Sequence, residues 1–111
     1  AHAAVVFDRR MHPIAAAEDV GRHNALDKAV GKAFMEARLK DAGFGVMSSR
    51  LSYELVQKAA RARLEMLVGI SRPTALAVEL AGSVDMTLAC AKDDHLMVFC
   101  GNDRIAPRTE V

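Results

Sequence analysis

The sequence predicts an α/β fold, a three-layer α/β/α sandwich on a mixed sheet, and three observations carry that expectation. Short apolar runs alternate with stretches whose apolar residues recur at helical spacing, the pattern of parallel strands joined by crossover helices. Paired strand-like runs stand at both ends of the chain, where hairpins would add antiparallel strands. No linker or low-complexity tract interrupts the 111 residues, so a single α/β domain with one core is expected over 1–111.

The elements follow in order. Residues 2–7 are small or β-branched, 8–13 break the pattern and 14–18 resume it, which reads as a hairpin with a loose turn. Beyond Gly21, the apolar residues Leu26, Val30, Ala33, Phe34 and Ala37 fall at helical spacing. A helix is expected from there to about Lys40, with Asn24 and Asp27 as a variant capping box and Gly43 and Gly45 at its exit. Residues 44–47 form a short apolar strand, Ser48-Ser49-Arg50 is polar, and Ser52 caps a helix with Leu55, Val56, Ala59 and Ala60 inward. The unit recurs with a strand at 66–70, a polar junction from Ser71 to Thr74, and a helix through Leu76, Leu80 and Ala81 with Pro73 in its first turn. Residues 86–91 and 96–100, joined by the polar Lys92-Asp93-Asp94, make a terminal hairpin, and 102–111 are poorly patterned and expected to be peripheral.

Composition excludes several function classes. Lys and Arg number 15 against 14 Asp and Glu, so no single-sign field exists to hold a polyanion, and nucleic acid is not an expected partner. With no Trp and one Tyr, stacking platforms for single-stranded bases are scarce as well. No apolar run nears the roughly 20 residues of a membrane span, and no secretory layout opens the chain, so no membrane contact and a cytoplasmic location are expected. Cys90 and Cys100 lack metal-ligand spacing and read as core thiols. Zinc deaminases share mixed three-layer sheets, but their later C-x-x-C pair is missing, and Cys90, His95 and Cys100 are poorly arranged, so no metal is expected. Gly-rich nucleotide loops are absent too.

The densest polar stretch is 18–28, E-D-V-G-R-H-N-A-L-D-K, at a strand-to-helix junction. Such a cluster costs free energy unless its members pair with one another or with a ligand. Each of the three junctions carries an arginine beside small polar groups: Arg22 with His23 and Asn24, Arg50 with Ser48 and Ser49, Arg72 with Ser71 and Thr74. In a parallel sheet these junctions share one edge, where ligands bind and where helix starts offer N–H groups to anions. A phosphate-bearing ligand fits, because the guanidinium fork binds phosphate oxygens in bidentate fashion. The plainer reading makes each arginine a surface charge and each Ser or Thr a cap; the coincidence of three junctions favours a site. Asp19 and Asp27 either pair with Arg22 and Lys28 or accept from a base such as guanine. His23 reads as a ligand contact or as a helix-start histidine bonded to Asp19 or Asp27, ahead of a catalytic base. His2 and His12 read as solvated or edge residues.

Three segments, 18–28 above, S-S-R-L-S-Y-E-L-V-Q-K-A-A at 48–60 and P-T-A-L-A-V-E-L-A at 73–81, resemble the formate dehydrogenase accessory sulfurtransferase (sulfur carrier) family, FdhD/NarQ. His2-Ala3-Ala4 is similar to the end of that family's T-G-G-x-H-x-A motif, which implies the C-terminal, cofactor-binding portion of a longer protein. The resemblance implies a cytidine-deaminase-like α/β/α fold without the zinc site. It also implies a sulfur carrier that takes persulfide sulfur from a cysteine desulfurase and passes it to the molybdenum of a bis-guanine-dinucleotide cofactor needed by formate dehydrogenase. Cofactor contacts carry over to Asp19, Arg22, His23, Asn24, Asp27, Ser48, Ser49, Arg50 and Ser71, with GDP as a mimic of the cofactor. The family's persulfide C-x-x-C is expected upstream of Ala1; without that pair this chain holds no catalytic residue and would not complete sulfur transfer alone. The family's basic turn before the last strand is here A-K-D-D-H, whose acids oppose phosphate while Lys92 and His95 retain part of the contact. A different reading is an interaction module, a dimerisation or desulfurase-docking surface with a vestigial pocket.

Overall fold

The computed structural model describes residues 2–93 and 95–101. Alternation in the first run sends Ala4 and Val6 to one face of β1 (His2–Asp8), which pairs antiparallel with β2 (Pro13–Asp19). The helix α1 (Arg22–Met35) leads to a 3₁₀ turn at Leu39–Asp41 and β3 (Ala42–Met47). Two further strand–helix units follow: α2 (Tyr53–Arg61), β4 (Met66–Gly69), α3 (Ala75–Ser83) and β5 (Thr87–Lys92). The last strand is β6 (His95–Cys100). The sheet order is β2-β1-β3-β4-β5-β6; β3, β4 and β5 run parallel, β1 opposes both its neighbours, and β6 opposes β5.

The mixed α/β sheet expected from the sequence is therefore present. One core joins Ala4, Val6, Met47, Leu67 and Leu88 of the strands to Ala25, Leu26 and Ala29 of α1, Leu55, Val56 and Ala59 of α2, and Ala77 and Ala81 of α3. All three helices thus cover the same face, and no helix of the described residues covers the other. The second helical layer of the expected sandwich does not come from these residues.

The helix limits differ from expectation in instructive ways. Helix α1 stops at Met35 rather than near Lys40, because Ala37 takes φ 57° and Arg38 N–H donates back to the Ala33 carbonyl at 2.8 Å. The same closure ends α2 at Arg63 (φ 63°, Leu64 N–H to the Ala59 carbonyl, 3.0 Å) and α3 at Asp85 (φ 56°, Met86 N–H to the Ala81 carbonyl, 2.8 Å). Glycine usually fills this left-handed position, and none stands there in this sequence. Asn24 and Asp27 form no capping box: the N-cap of α1 is Gly21 and no side chain caps it. Ser52 caps α2 as expected, its Oγ accepting from Leu55 N–H at 3.4 Å. Thr74 caps α3, which places Pro73 ahead of the cap rather than in the first turn. Leu76 is 62% exposed, and Ala77 and Ala81 take the inner face instead. Asp94 and residues 102–111, expected as turn and periphery, lie outside the described residues.

A stability prediction follows from the helix ends. Ala37→Gly relieves a left-handed strain of about 1–2 kcal/mol against an unfolded-chain entropy cost of roughly 0.5–1 kcal/mol. A net gain of about 0.5–1 kcal/mol is expected in urea unfolding, and a loss would show that Ala37 does not hold this conformation.

Candidate functional site

Strand directions assemble the site. Since β2, β3, β4 and β5 all point one way and β1 and β6 the other, the C-terminal ends of the first four and the starts of His2 and His95 line one rim. The three strand-to-helix junctions singled out from the sequence all open on it.

At the β2–α1 junction, Asp19 organises the backbone. Its Oδ1 accepts from Gly21 N–H at 3.0 Å and from Asn24 Nδ2 at 3.4 Å, and Lys28 Nζ is ion-paired to Oδ2. Those donors, the Gly21 amide foremost and then Lys28, hold the carboxyl down at about 2 from an ordinary 3.8. In the unfolded chain the same carboxyl titrates near its ordinary value, so the unfolded state binds more protons below about pH 4. The stabilisation is complete above that pH and is lost as pH falls toward 2. Asp19→Asn is expected to flatten that limb of the stability profile, read as urea midpoints between pH 5 and 2; an unchanged profile would show that Asp19 does not carry it.

Asp27 lies further along α1, and both its oxygens accept from Lys58 Nζ of α2 at 3.1 and 2.9 Å. It bridges the two helices rather than pairing with Arg22 or Lys28. Neither aspartate bonds His23, so its half-buried ring makes no hydrogen bond among the described residues. Arg22 opens α1 beside it, exposed to solvent. Because α2 and α3 are capped by Ser52 and Thr74, α1 alone of the three helices lacks a side-chain acceptor for its first-turn N–H groups.

At the end of β3, Ser48 Oγ accepts from Ala3 N–H at 2.8 Å while Ser48 N–H donates to the Ala3 carbonyl at 3.0 Å, stitching the junction to β1. Ser49 is only 6% exposed, and its Oγ is buried without a hydrogen-bond partner. A buried hydroxyl left so forfeits about 1–3 kcal/mol, a cost that a ligand oxygen in this position would remove. Arg50 is exposed; its Nε donates to the Arg72 carbonyl at 3.0 Å, tying the second junction to the third. The close approach depends on Gly69, where a Cβ would stand 2.8 Å from both the Ser49 carbonyl oxygen and Leu51 Cγ.

At the far end of the rim Ser71, Arg72 and Lys92 border a hollow of about 260 Å³, with Cys90 and Met97 inside it. The Arg72 guanidinium lies 5.8 Å from the centroid of Phe99. Lys92 pairs across the hairpin with His95, both exposed. Exposed acids stand close by, Glu54 in the first turn of α2 and Asp93 in the hairpin turn. Larger hollows of about 640 and 700 Å³ lie away from the rim, the first with Lys40, Arg61 and Arg63 among its lining, the second on the sheet face.

The rim thus assembles Arg22, His23, Asn24, Ser48, Ser49, Arg50, Ser71, Lys92 and His95 along one edge, with Asp19 bracing it and Asp27 drawn away. Sequence reasoning left Arg72 out of the contact set although the junction pattern pointed to it; it named Lys28 as a partner of the aspartates, as Asp19 shows, and missed Lys58 as the partner of Asp27. The chemistry available is anion binding: guanidinium forks, an uncapped helix start and an orphan hydroxyl, the donor set that phosphates take. A phosphate-bearing ligand fits that donor set. No three His, Cys, Asp or Glu side chains among the described residues are placed to hold a metal ion. Cys90 is buried, and Cys100 donates to the Met86 carbonyl at 3.3 Å with burial pushing its thiol pKa up, opposite to what a nucleophile needs. No helix among the described residues is long and apolar enough to cross a membrane.

Comparison with known proteins places this arrangement. The FdhD/NarQ family model matches residues 1–106. The sulfur carrier protein FdhD of Xanthomonas euvesicatoria pv. vesicatoria is 50% identical over 106 residues, 94% of this chain and 37% of that protein. Its namesake in Streptomyces coelicolor is 40% identical over 112 residues, 99% of this chain and 40% of that protein. Among solved structures, one assigned to a formate dehydrogenase accessory protein from Desulfotalea psychrophila superposes with a TM-score of 0.84 at 26% identity, over 95% of this chain and 47% of that one. The chain spans less than half the length of each of these relatives.

Proposed function

The chain belongs to the FdhD/NarQ family, and on that premise we propose that it is the nucleotide-binding part of a sulfur carrier that serves formate dehydrogenase. Its substrate is the molybdenum bis-guanine-dinucleotide cofactor, which receives sulfur that originates at a cysteine desulfurase. Arg22 and Arg50 hold phosphate oxygens at the first two junctions, with the first-turn amides of α1 and the Ser49 hydroxyl as neutral donors. His23 and Asn24 meet the base or ribose, and Lys92 with His95 closes the far end of the rim. The sulfur-bearing thiols belong to a C-x-x-C pair that these 111 residues do not contain, so this part binds and orients while the transfer step lies elsewhere.

The observation that supports the reading is that Arg22, Arg50 and Arg72 stand at three strand-to-helix junctions along one sheet edge, with Ser49, whose buried hydroxyl has no hydrogen-bond partner among the described residues, at the middle one. Calorimetric titration of GDP into the purified chain tests it. Saturable 1:1 heat is expected, weakening with added salt as charge-based binding must; no heat at millimolar GDP would end the reading.

A further inference from the structure

At the edge of the sheet opposite the rim, the chain just after α1, the end of α2 and the start of β3 border a hollow of about 640 Å³. Its lining is apolar at Leu39, Ala42 and Ala62, and at Phe34, whose ring is nonetheless 67% exposed. Met35, 82% exposed, follows Phe34 at the same helix end. Around these residues stand Arg9, Lys40, Arg61 and Arg63, and no acid joins them in the lining among the described residues.

Charge decides what such a hollow takes. Arg9 is matched by Glu65 at 2.7 Å, whereas Lys40, Arg61 and Arg63 form no ion pair among the described residues. Part of their charge answers the ends of α1 and α2, whose last carbonyls carry about half a negative charge each. Three cations against about one negative charge leave a surplus of about two. They also come from separate places: Lys40 from the 3₁₀ turn, Arg61 from the last residue of α2, and Arg63 from the left-handed position beyond it. Large apolar side chains left in water beside arginines have the composition of a protein interface, where Phe, Met and Arg are enriched.

We propose that this hollow is a docking site for an acidic segment of a partner protein. One aromatic or long aliphatic side chain of that segment packs on Leu39, Ala42, Ala62 and Phe34, and its carboxylates meet Lys40, Arg61 and Arg63. A small free anion would leave Phe34 and Met35 in water. A flat anionic lipid surface suits the place less, because Glu36 and Asp41 are exposed at this end and would face the headgroups, while neither lines the recess. Strand β3 has 6 residues, each rising roughly 3.3 Å, so the hollow lies about 20 Å from the rim, and a partner held here leaves that edge open. The proposal is therefore independent of the nucleotide reading.

Fluorescence anisotropy with a labelled peptide D-E-F-E-D tests it, beside D-E-S-E-D, which keeps the charge and lacks the ring. Saturable binding of the first is expected, about tenfold tighter than of the second, because ring burial accompanies the charge contacts. Lys40→Glu with Arg61→Glu should weaken it about tenfold, since attraction at two exposed sites becomes repulsion. The urea midpoint of that variant stays put, both side chains being exposed. Phe34→Ser, at constant net charge, should weaken it about threefold and so locates the peptide at this hollow. No saturable binding at millimolar peptide, equal affinity for the two peptides, or undiminished affinity in either variant would overturn the proposal. So would co-sedimentation with phosphatidylglycerol vesicles in place of peptide binding, if the double variant abolishes it, which would assign the hollow to a lipid surface.

Discussion

Removing both leading arginines, Arg22→Ala with Arg50→Ala, is expected to weaken GDP binding by about 3 kcal/mol, roughly 150-fold in Kd. Each guanidinium is exposed, so each charge-assisted contact is counted at the low end, about 1.5 kcal/mol. The strands that carry the two junctions, β2 and β3, are separated only by β1, so their ends lie about 10 Å apart and both arginines can serve one dinucleotide. Folding should be almost untouched, because neither side chain is buried and, among the described residues, the only bond given up is that of Arg50 Nε to the Arg72 carbonyl. Replacement by lysine separates charge from geometry: it keeps the cation and loses the planar fork, so an intermediate affinity is expected. Calorimetry beside a urea melt decides the matter. An unchanged Kd in the double alanine variant would remove phosphate binding from this edge.

Gly69→Ala should damage fold and site together. The added Cβ would meet the Ser49 carbonyl oxygen and Leu51 Cγ at 2.8 Å, and the first of these is backbone that cannot swing aside. Overpacking of this kind costs about 1–3 kcal/mol, and here the upper half of that range is expected. Relief requires the 49–51 segment to lift from the end of β4, which displaces Ser49 and Arg50 and breaks the Thr74 amide bond to the Leu51 carbonyl, 3.0 Å. GDP affinity should therefore fall along with the urea midpoint. A variant with wild-type stability would show that the loop does not close over Gly69 as described.

Much of this architecture was legible because local pattern and tertiary demand agree. The period of the apolar residues marked the three helices, and runs such as 44–47 and 66–69 marked buried strands. Boundaries failed where the chain departs from common chemistry. Ala37, Arg63 and Asp85 close helices in a conformation that composition assigns to glycine, so the end of α1 could not be placed. Leu76 looked like a core residue by type, but the rotation of α3 is set by its small residues Ala77 and Ala81 packing on the sheet. The junction residues were found because three arginines recur at equivalent places. The Asp19–Lys28 pair was also readable from the short local stretch, whereas the Asp27–Lys58 bridge was not, since it spans 31 positions and only the packing of α1 against α2 brings it together.

The order of strands also bears on how the protein emerges during synthesis. The first of these six strands, β1, ends up inside the sheet between β2 and β3, yet Val5 meets Val46 only after about 40 further residues have been added. At about 5–20 residues per second the ribosome holds the nascent hairpin for a few seconds with one ladder of amides and carbonyls unpaired. Small side chains at Ala3, Ala4, Ala15, Ala16 and Ala17 make that early hairpin a weak template for other chains, because it offers little apolar surface until β3 arrives.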